Sequence, residues 1–91
     1  MDKRLLAPDL YKYLVALASV LEDVGDADGG RQVLHISKFI SGSTSELYGE
    51  ARLLLPTILQ RSGARLADLD RARLSEAIAG IEQEFRRIGG G

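Results

Sequence analysis

His35 is the one histidine of this sequence and the first side chain to consider for catalysis or metal binding. On a helix it would share a face with the residues three and four positions away, which are Arg31, Gln32, Lys38 and Phe39. A zinc or similar site needs further imidazole, thiolate or carboxylate ligands, and none of these neighbours supplies one. We therefore predict no metal site, no catalytic role for His35 and no bound cofactor.

Acidic residues are concentrated just before the second predicted helix, at Glu22, Asp23, Asp26 and Asp28. A calcium-binding loop of the EF-hand type that began at Asp26 would need glycine at its sixth position and glutamate at its twelfth. The sequence has Arg31 and Ser37 there. The pattern instead favours a helix–helix loop in which Asp26 or Asp28 accepts hydrogen bonds from the start of the next helix.

The candidate hydroxyl nucleophiles lie together in the run Ser43-Thr44-Ser45-Glu46. No Gly-x-Ser-x-Gly turn surrounds them, so the arrangement of a serine hydrolase is missing. Ser43 with Glu46 three residues later is typical of a capping box, in which side chains and backbone groups satisfy one another at a helix start. We predict a helix start at this run and no catalytic residue in the chain.

Arginines are concentrated around the last predicted connection, at Arg61, Arg65, Arg71 and Arg73. Guanidinium groups bind phosphate well, so this basic corner is the candidate nucleic-acid site. The residues between them include leucines but no aromatic side chain that would stack on a base. A solvated, arginine-bearing corner is the favoured interpretation, and nucleic-acid binding is kept as the alternative.

The candidate residues for binding another protein are two tyrosines and two aspartates: Tyr13, Tyr48, Asp26 and Asp28. Tyrosine gives a large contact area at a small cost in side-chain entropy and is enriched in interfaces. Tyr13 lies off the leucine stripe of its predicted helix, which favours an outward-facing phenol. The acidic turn around Asp26 and Asp28 would complement the charge of a basic partner.

A chain of 91 residues, 45% hydrophobic and 27% charged, has the size and composition of one water-soluble globular domain. We predict a helical domain over residues 1–88 and a flexible glycine tail over residues 89–91. The net charge of -1 lacks the basic excess typical of a general nucleic-acid binder. The sequence has no cysteine and no apolar run of about 18–20 residues, so we expect no disulfide, no membrane span and a cytoplasmic location.

Apolar residues recur at spacings of three and four in four segments, at about residues 8–24, 29–41, 44–62 and 68–88. This spacing, with short connections, predicts an all-α fold, a compact antiparallel bundle of four helices. Pro56 lies inside the third segment, where proline removes a backbone hydrogen bond, so we expect that helix to be kinked or broken there. Pro8 and Gly25 should mark the ends of the first helix, and Asp68 or Asp70 should cap the last one.

These observations favour a non-enzymatic protein–protein interaction module, such as a small adaptor, inhibitor or immunity-like protein that acts by surface complementarity. The alternatives are a nucleic-acid-binding protein that uses the Arg61–Arg73 corner and a helical bundle that binds a small molecule between its helices near His35 and a tyrosine. The expected partner is another protein. A homo-oligomer is kept as a further alternative, in which part of the stripe from Leu74 to Ile88 is buried against a second subunit.

Overall fold

The computed structural model describes residues 6–88 of the chain, apart from the side chain of Ser41. Four α-helices and two short 3-10 helices make up this part, and it contains no strand. The α-helices are α1 (Ala7–Asp23), α2 (Ala27–Ser37), α3 (Thr44–Ser62) and α4 (Asp68–Arg87), and the 3-10 helices are Lys38–Ser41 and Gly63–Arg65. The predicted all-α bundle of four helices is confirmed. The predicted glycine tail lies outside the described residues.

The apolar stripes of all four helices meet in one core. Its most deeply buried members include Leu10, Leu14 and Leu21 of α1, Val33 of α2, Leu47, Tyr48, Leu55 and Ile58 of α3, and Leu74 and Ile81 of α4. Helix α1 packs mainly on α2, and α3 packs mainly on α4, with a smaller contact between α2 and α3. In the stripe of α4, Leu74 and Ile81 are completely buried within the chain, whereas Ile78, Phe85 and Ile88 are partly buried against the core.

The turn between α1 and α2 ends one helix and starts the next within three residues. Gly25 has a φ of +88°, which is the left-handed conformation that glycine adopts without strain. The backbone N–H of Gly25 donates to the carbonyl of Glu22 at 3.1 Å, and the N–H of Asp26 donates to the carbonyl of Leu21 at 2.8 Å. This is the hydrogen-bond pattern of a Schellman motif. Asp26, which completes it, is also the N-cap residue of α2.

Helix α2 is shorter than its apolar pattern predicts. Its α-helical part ends at Ser37, and the chain continues as a 3-10 helix to Ser41. The Ser37 hydroxyl donates to the carbonyl of Leu34 at 2.6 Å. A serine hydroxyl that bonds to a backbone carbonyl one turn earlier competes with the α-helical ladder, which fits the change to the tighter helix here.

Pro56 does not break the third helix, which is continuous from Thr44 to Ser62. The proline and Arg52, whose carbonyl loses its usual partner, are both on the solvent side. The Arg52 side chain fastens this exposed part of α3 to α4, because its Nε donates to Glu82 at 2.5 Å and its guanidinium lies 4.9 Å from the centre of the Phe85 ring. Of the two predicted outcomes at Pro56, the break is wrong.

The predicted N-cap is correct at α3, as it is at α2, and wrong at α4. Ser43 is the N-cap of α3 and its side chain accepts a hydrogen bond from the N–H of Glu46 at 3.3 Å, as the capping box predicts. At α4 the N-cap is Ala67, which has no side-chain cap. Asp68 and Asp70 lie in the first turn instead, where negative charge interacts favourably with the helix dipole. No described helix is long and apolar enough to cross a membrane.

Candidate functional site

Tyr48 is part of the core. Its side chain has no solvent-exposed surface, and it lies among the buried residues of α3 with Leu47, Ala51 and Leu55. Burial, with a smaller effect from the charge of Glu84, raises the pKa of the Tyr48 hydroxyl to about 12. In this fold the residue is not accessible to a partner, so the partner contact predicted for Tyr48 is corrected to a packing role.

Tyr13 is half-buried and packs against the core rather than pointing outward. Its hydroxyl oxygen is buried and has no hydrogen-bond partner within residues 6–88. Burial raises the pKa of this phenol, and the charge of Asp70 adds to the effect while Arg73 opposes it. Tyr13 and Tyr48 therefore give little exposed surface for recognition. Tyr11 offers more exposed surface than either of them, since it is 40% exposed.

Asp26 is buried at a corner where the α1–α2 turn meets the end of α3. Its carboxylate accepts hydrogen bonds from the N–H of Gly29 at 2.9 Å, the hydroxyl of Ser62 at 2.7 Å and the guanidinium of Arg61 at 3.2 Å. The bond from Ser62 is the main reason why the pKa of Asp26 lies below its ordinary value, with Gly29 and Arg61 adding to it against the opposing effect of burial. Asp26 thus joins α2 to α3, and the partner contact predicted for it is corrected to this internal role.

Asp28 lies on the surface, away from this buried corner. Its side chain is 81% exposed and forms an ion pair with Arg31, one helical turn later on α2. The structure therefore separates the two aspartates of the predicted acidic turn. Only Asp28 remains available to a partner.

The predicted basic corner is largely engaged within the protein. Arg61 pairs with Asp26, and Arg65 donates to the carbonyl of Val24 and the hydroxyl of Ser62, each at 3.1 Å. Arg71 donates to the carbonyl of Gly63 at 3.1 Å and pairs with Asp68, and Arg73 is exposed on α4. Three of these four guanidinium groups thus hold turns in place.

An exposed groove lies between α1 and α2, and its lining includes His35 and a tyrosine, the residues around which the small-molecule alternative placed its site. Its lining residues are Tyr11, Val15, Arg31, Leu34, His35, Ser37, Lys38 and Ile40, and its volume is about 910 Å³. Tyr11, Val15 and Leu34 are among the large apolar side chains that remain exposed after folding, each at 40–41%. We call this feature the α1–α2 groove.

A second groove lies between α2 and α3. Its volume is about 550 Å³, and its lining residues are Arg31, Gln32, His35, Ile36, Glu50, Leu53, Leu54 and Thr57. Leu53 at its edge is 65% exposed. We call it the α2–α3 groove. Arg31 and His35 line both grooves, so the two grooves form one continuous surface along α2.

The two grooves differ in charge. The ionisable side chains of the α1–α2 groove are Tyr11, Arg31, His35 and Lys38, and no carboxylate lines it among the described residues. The α2–α3 groove includes Glu50 and so has groups of both signs. An anionic ligand is therefore better matched by the α1–α2 groove.

His35 is exposed on α2 and lines both grooves. Its ring packs edge-on against Phe39, with the ring centres 6.0 Å apart. Within the part of the chain that the structure describes, no three histidine, aspartate or glutamate side chains lie close enough to hold a metal ion. His35 thus contributes an exposed side chain where the two grooves meet.

A signal for this surface is present in the sequence. Tyr11 and Val15 are four residues apart on α1, and Leu34 is off the buried stripe of Val33 and Ile36 on α2. Each is an apolar residue outside the most regular stripe of its helix. Which of them the fold would leave exposed depends on how α1 and α2 cross.

No family model, curated protein or solved structure matches the chain.

Proposed function

We propose that this protein is a non-enzymatic interaction module that binds another protein through the surface formed by the α1–α2 and α2–α3 grooves. The observation that carries the proposal is the exposed apolar row of Tyr11, Val15 and Leu34, which lines the α1–α2 groove, together with the exposed Leu53 in the α2–α3 groove. Isolated exposed apolar residues are ordinary, but clustered ones rimmed by polar residues are typical of binding surfaces.

The shape of the surface supports docking of a protein rather than enclosure of a small molecule. Small-molecule sites bury most of the surface of their ligand in a cleft. Both grooves here are wide open to solvent and run along helices, and α2 forms a ridge between them. Such a surface suits a partner helix or loop. In this proposal the module acts in the cytoplasm, as its cysteine-free sequence allows.

The nucleic-acid alternative has no comparable support. Arg61, Arg65 and Arg71 already donate to carboxylate, hydroxyl and carbonyl groups of the protein itself. Their removal should loosen the turns at this corner as well as lower any affinity for phosphate. The contacts of these arginines therefore favour a structural role for the corner.

The experiment is a comparison of capture by the wild-type protein and by a double variant of the groove, Val15→Glu with Leu34→Glu. Two carboxylates in the apolar row should abolish capture of a partner, because they would be desolvated on docking. The partner is identified by mass spectrometry of proteins bound to the immobilised chain in lysate of its own cells. It is then purified, and its affinity for each variant is measured by calorimetry; we expect a loss of at least about 100-fold for the double variant, since each buried charge costs at least about 1.4 kcal/mol.

The matched control is Leu69→Glu. Leu69 is 61% exposed in the first turn of α4, lines neither groove, and lies where an added negative charge suits the helix. This variant should bind the partner like the wild type, and urea unfolding checks that all three proteins are folded. Equal loss in both variants, or no loss in the double variant, would contradict the proposal. If the captured partner is a second copy of the chain, light scattering will show a dimer that the double variant abolishes.

A further inference from the structure

We infer that the α1–α2 groove binds an amphipathic helix of another protein that is apolar on one face and acidic along one flank. This inference rests on the proposed function and adds the chemistry of the partner. It comes from the side chains that line the groove and from their spacing on two neighbouring helices.

The α1 side of the groove is apolar. Tyr11 and Val15 are one turn apart on α1, and Leu34 on α2 completes the exposed apolar row. A helix that presents apolar residues at intervals of three and four can lay that face into a groove between two helices. Tyr11 also offers a hydroxyl at the edge, which suits the polar border of the docked face.

The α2 side of the groove is basic. Arg31 and His35 are one turn apart on α2, and Lys38 begins the 3-10 helix that follows; all three line the groove. No carboxylate is among the described residues of this lining. A partner helix with glutamate or aspartate along the flank facing α2 would pair with this row, and one with lysine there would be repelled.

The pair between Arg31 and Asp28 does not remove this preference. Both side chains are exposed, at 70% for Arg31 and 81% for Asp28, and they are one turn apart on the same helix. Ion pairs in this setting are weak and screened by salt. Arg31 can therefore exchange Asp28 for a carboxylate of a docked helix, or bind both.

An anionic membrane surface would also attract apolar and basic side chains, but the shape favours a helix. The apolar residues line a groove between two helices with a volume of about 910 Å³, rather than protruding from one helix face. Interfacial membrane binding uses a protruding apolar helix face that enters the lipid boundary. A helix inserted along the groove contacts both walls.

The test uses two synthetic helical peptides of about 18 residues, long enough to hold several turns. Both have leucine at intervals of three and four. One has glutamate along its flanks, and the other has lysine at the same positions. Each is labelled with a fluorophore, and its anisotropy is measured as the full chain is added, at low salt and at high salt.

The glutamate peptide should bind the wild-type protein at least about tenfold more tightly than the lysine peptide, because several weak charge pairs act together. This ratio should fall in 1 M salt, where charges are screened beyond about 3 Å. Charge reversal by Arg31→Glu or Lys38→Glu should lower or invert the ratio. Arg73→Glu reverses one charge on α4, outside the groove, and should leave the ratio unchanged.

The outcomes separate this inference from the proposed function. If both peptides bind equally and Leu34→Glu weakens both, the groove docks helices but the acidic preference is overturned. If neither peptide binds, or if binding is the same in Leu34→Glu, the inference is overturned whatever the capture experiment shows. Binding to phosphatidylserine vesicles without binding of the glutamate peptide would overturn it in favour of a membrane surface.

Discussion

Replacement of Tyr48 by alanine should lower the free energy of unfolding by about 3–5 kcal/mol, the usual cost of truncating a buried aromatic residue. Tyr48 has no exposed surface and is among the largest fully buried side chains of the core. The cavity would lie between α3 and its neighbours. A domain of this size is stabilised by about 5–15 kcal/mol, so the variant should be partly unfolded or close to it. Urea unfolding followed by circular dichroism measures the change.

Two matched variants distinguish packing from recognition at this position. Tyr48→Phe keeps the ring and removes only the hydroxyl, so it should cost about 1 kcal/mol or less. Tyr11→Ala removes a tyrosine that is 40% exposed in the groove, and its effect on stability should be small. Comparable stability of Tyr48→Ala and Tyr11→Ala would show that the ring of Tyr48 is not buried as described.

Replacement of Asp26 by alanine should lower the free energy of unfolding by about 2–4 kcal/mol, the sum expected for a lost N-cap and lost hydrogen bonds to a carboxylate. The variant removes the acceptor for Gly29 and for the completely buried hydroxyl of Ser62. It also leaves Arg61 without its ion-pair partner across the corner. Chemical unfolding at neutral pH measures the loss.

Asp26→Asn separates the cap from the charge. Asparagine also caps helices, so this variant should lose less stability than Asp26→Ala. Asp28→Ala is the control, because Asp28 is exposed and its pair with Arg31 should contribute less than about 1 kcal/mol. An equal cost of Asp26→Ala and Asp28→Ala would contradict the buried corner.

The contribution of Asp26 should also depend on pH. The hydrogen bond from Ser62 is the main cause that holds its folded pKa below the ordinary value of 3.8. A group with a lowered folded pKa stabilises the fold fully above its unfolded pKa, and this stabilisation is lost as the pH falls through the folded pKa. The difference in unfolding free energy between wild type and Asp26→Asn should therefore be constant near neutral pH and shrink below pH 3.8.

The helices follow from local patterns in the sequence. Leu10, Leu14 and Leu21 are spaced for one helix face and are buried together, and Gly25 ends α1 with a positive φ as its residue type predicts. These features depend on interactions within a few turns of chain. The cap that Ser43 forms at the start of α3 is also a local interaction.

Which polar side chains become buried depends on contacts between helices, and local sequence patterns do not specify these contacts. Asp26 has the sequence signal of an exposed N-cap, but Ser62 and Arg61 approach it from a helix more than thirty residues later. Glu84 is also buried against its residue type, although its carboxylate is bound locally, by Nε and Nη2 of Arg87 one turn later on α4, at 2.6 Å and 2.8 Å. A polar residue type favours exposure, and only the tertiary packing overrides that preference.

Local patterns also did not predict that the apolar residues of the α1–α2 groove would remain exposed. Tyr11, Val15 and Leu34 are apolar residues next to buried stripes, and a helix with a wide apolar face normally buries such residues against a second neighbour. Here α1 is covered mainly by α2, so the edge of its apolar face stays open. The number of neighbours available to each helix is a property of the whole fold.

The proposed function places the partner at the α1–α2 groove. The most direct test is an amide chemical-shift map of the isotope-labelled chain during titration with the glutamate-flanked helical peptide. We expect shifts concentrated at the α1–α2 groove, around Val15, Leu34 and Lys38, and no comparable shifts at Leu69 on α4. Shifts concentrated at the corner formed by Arg61, Arg65 and Arg71, with the groove unchanged, would contradict this proposal.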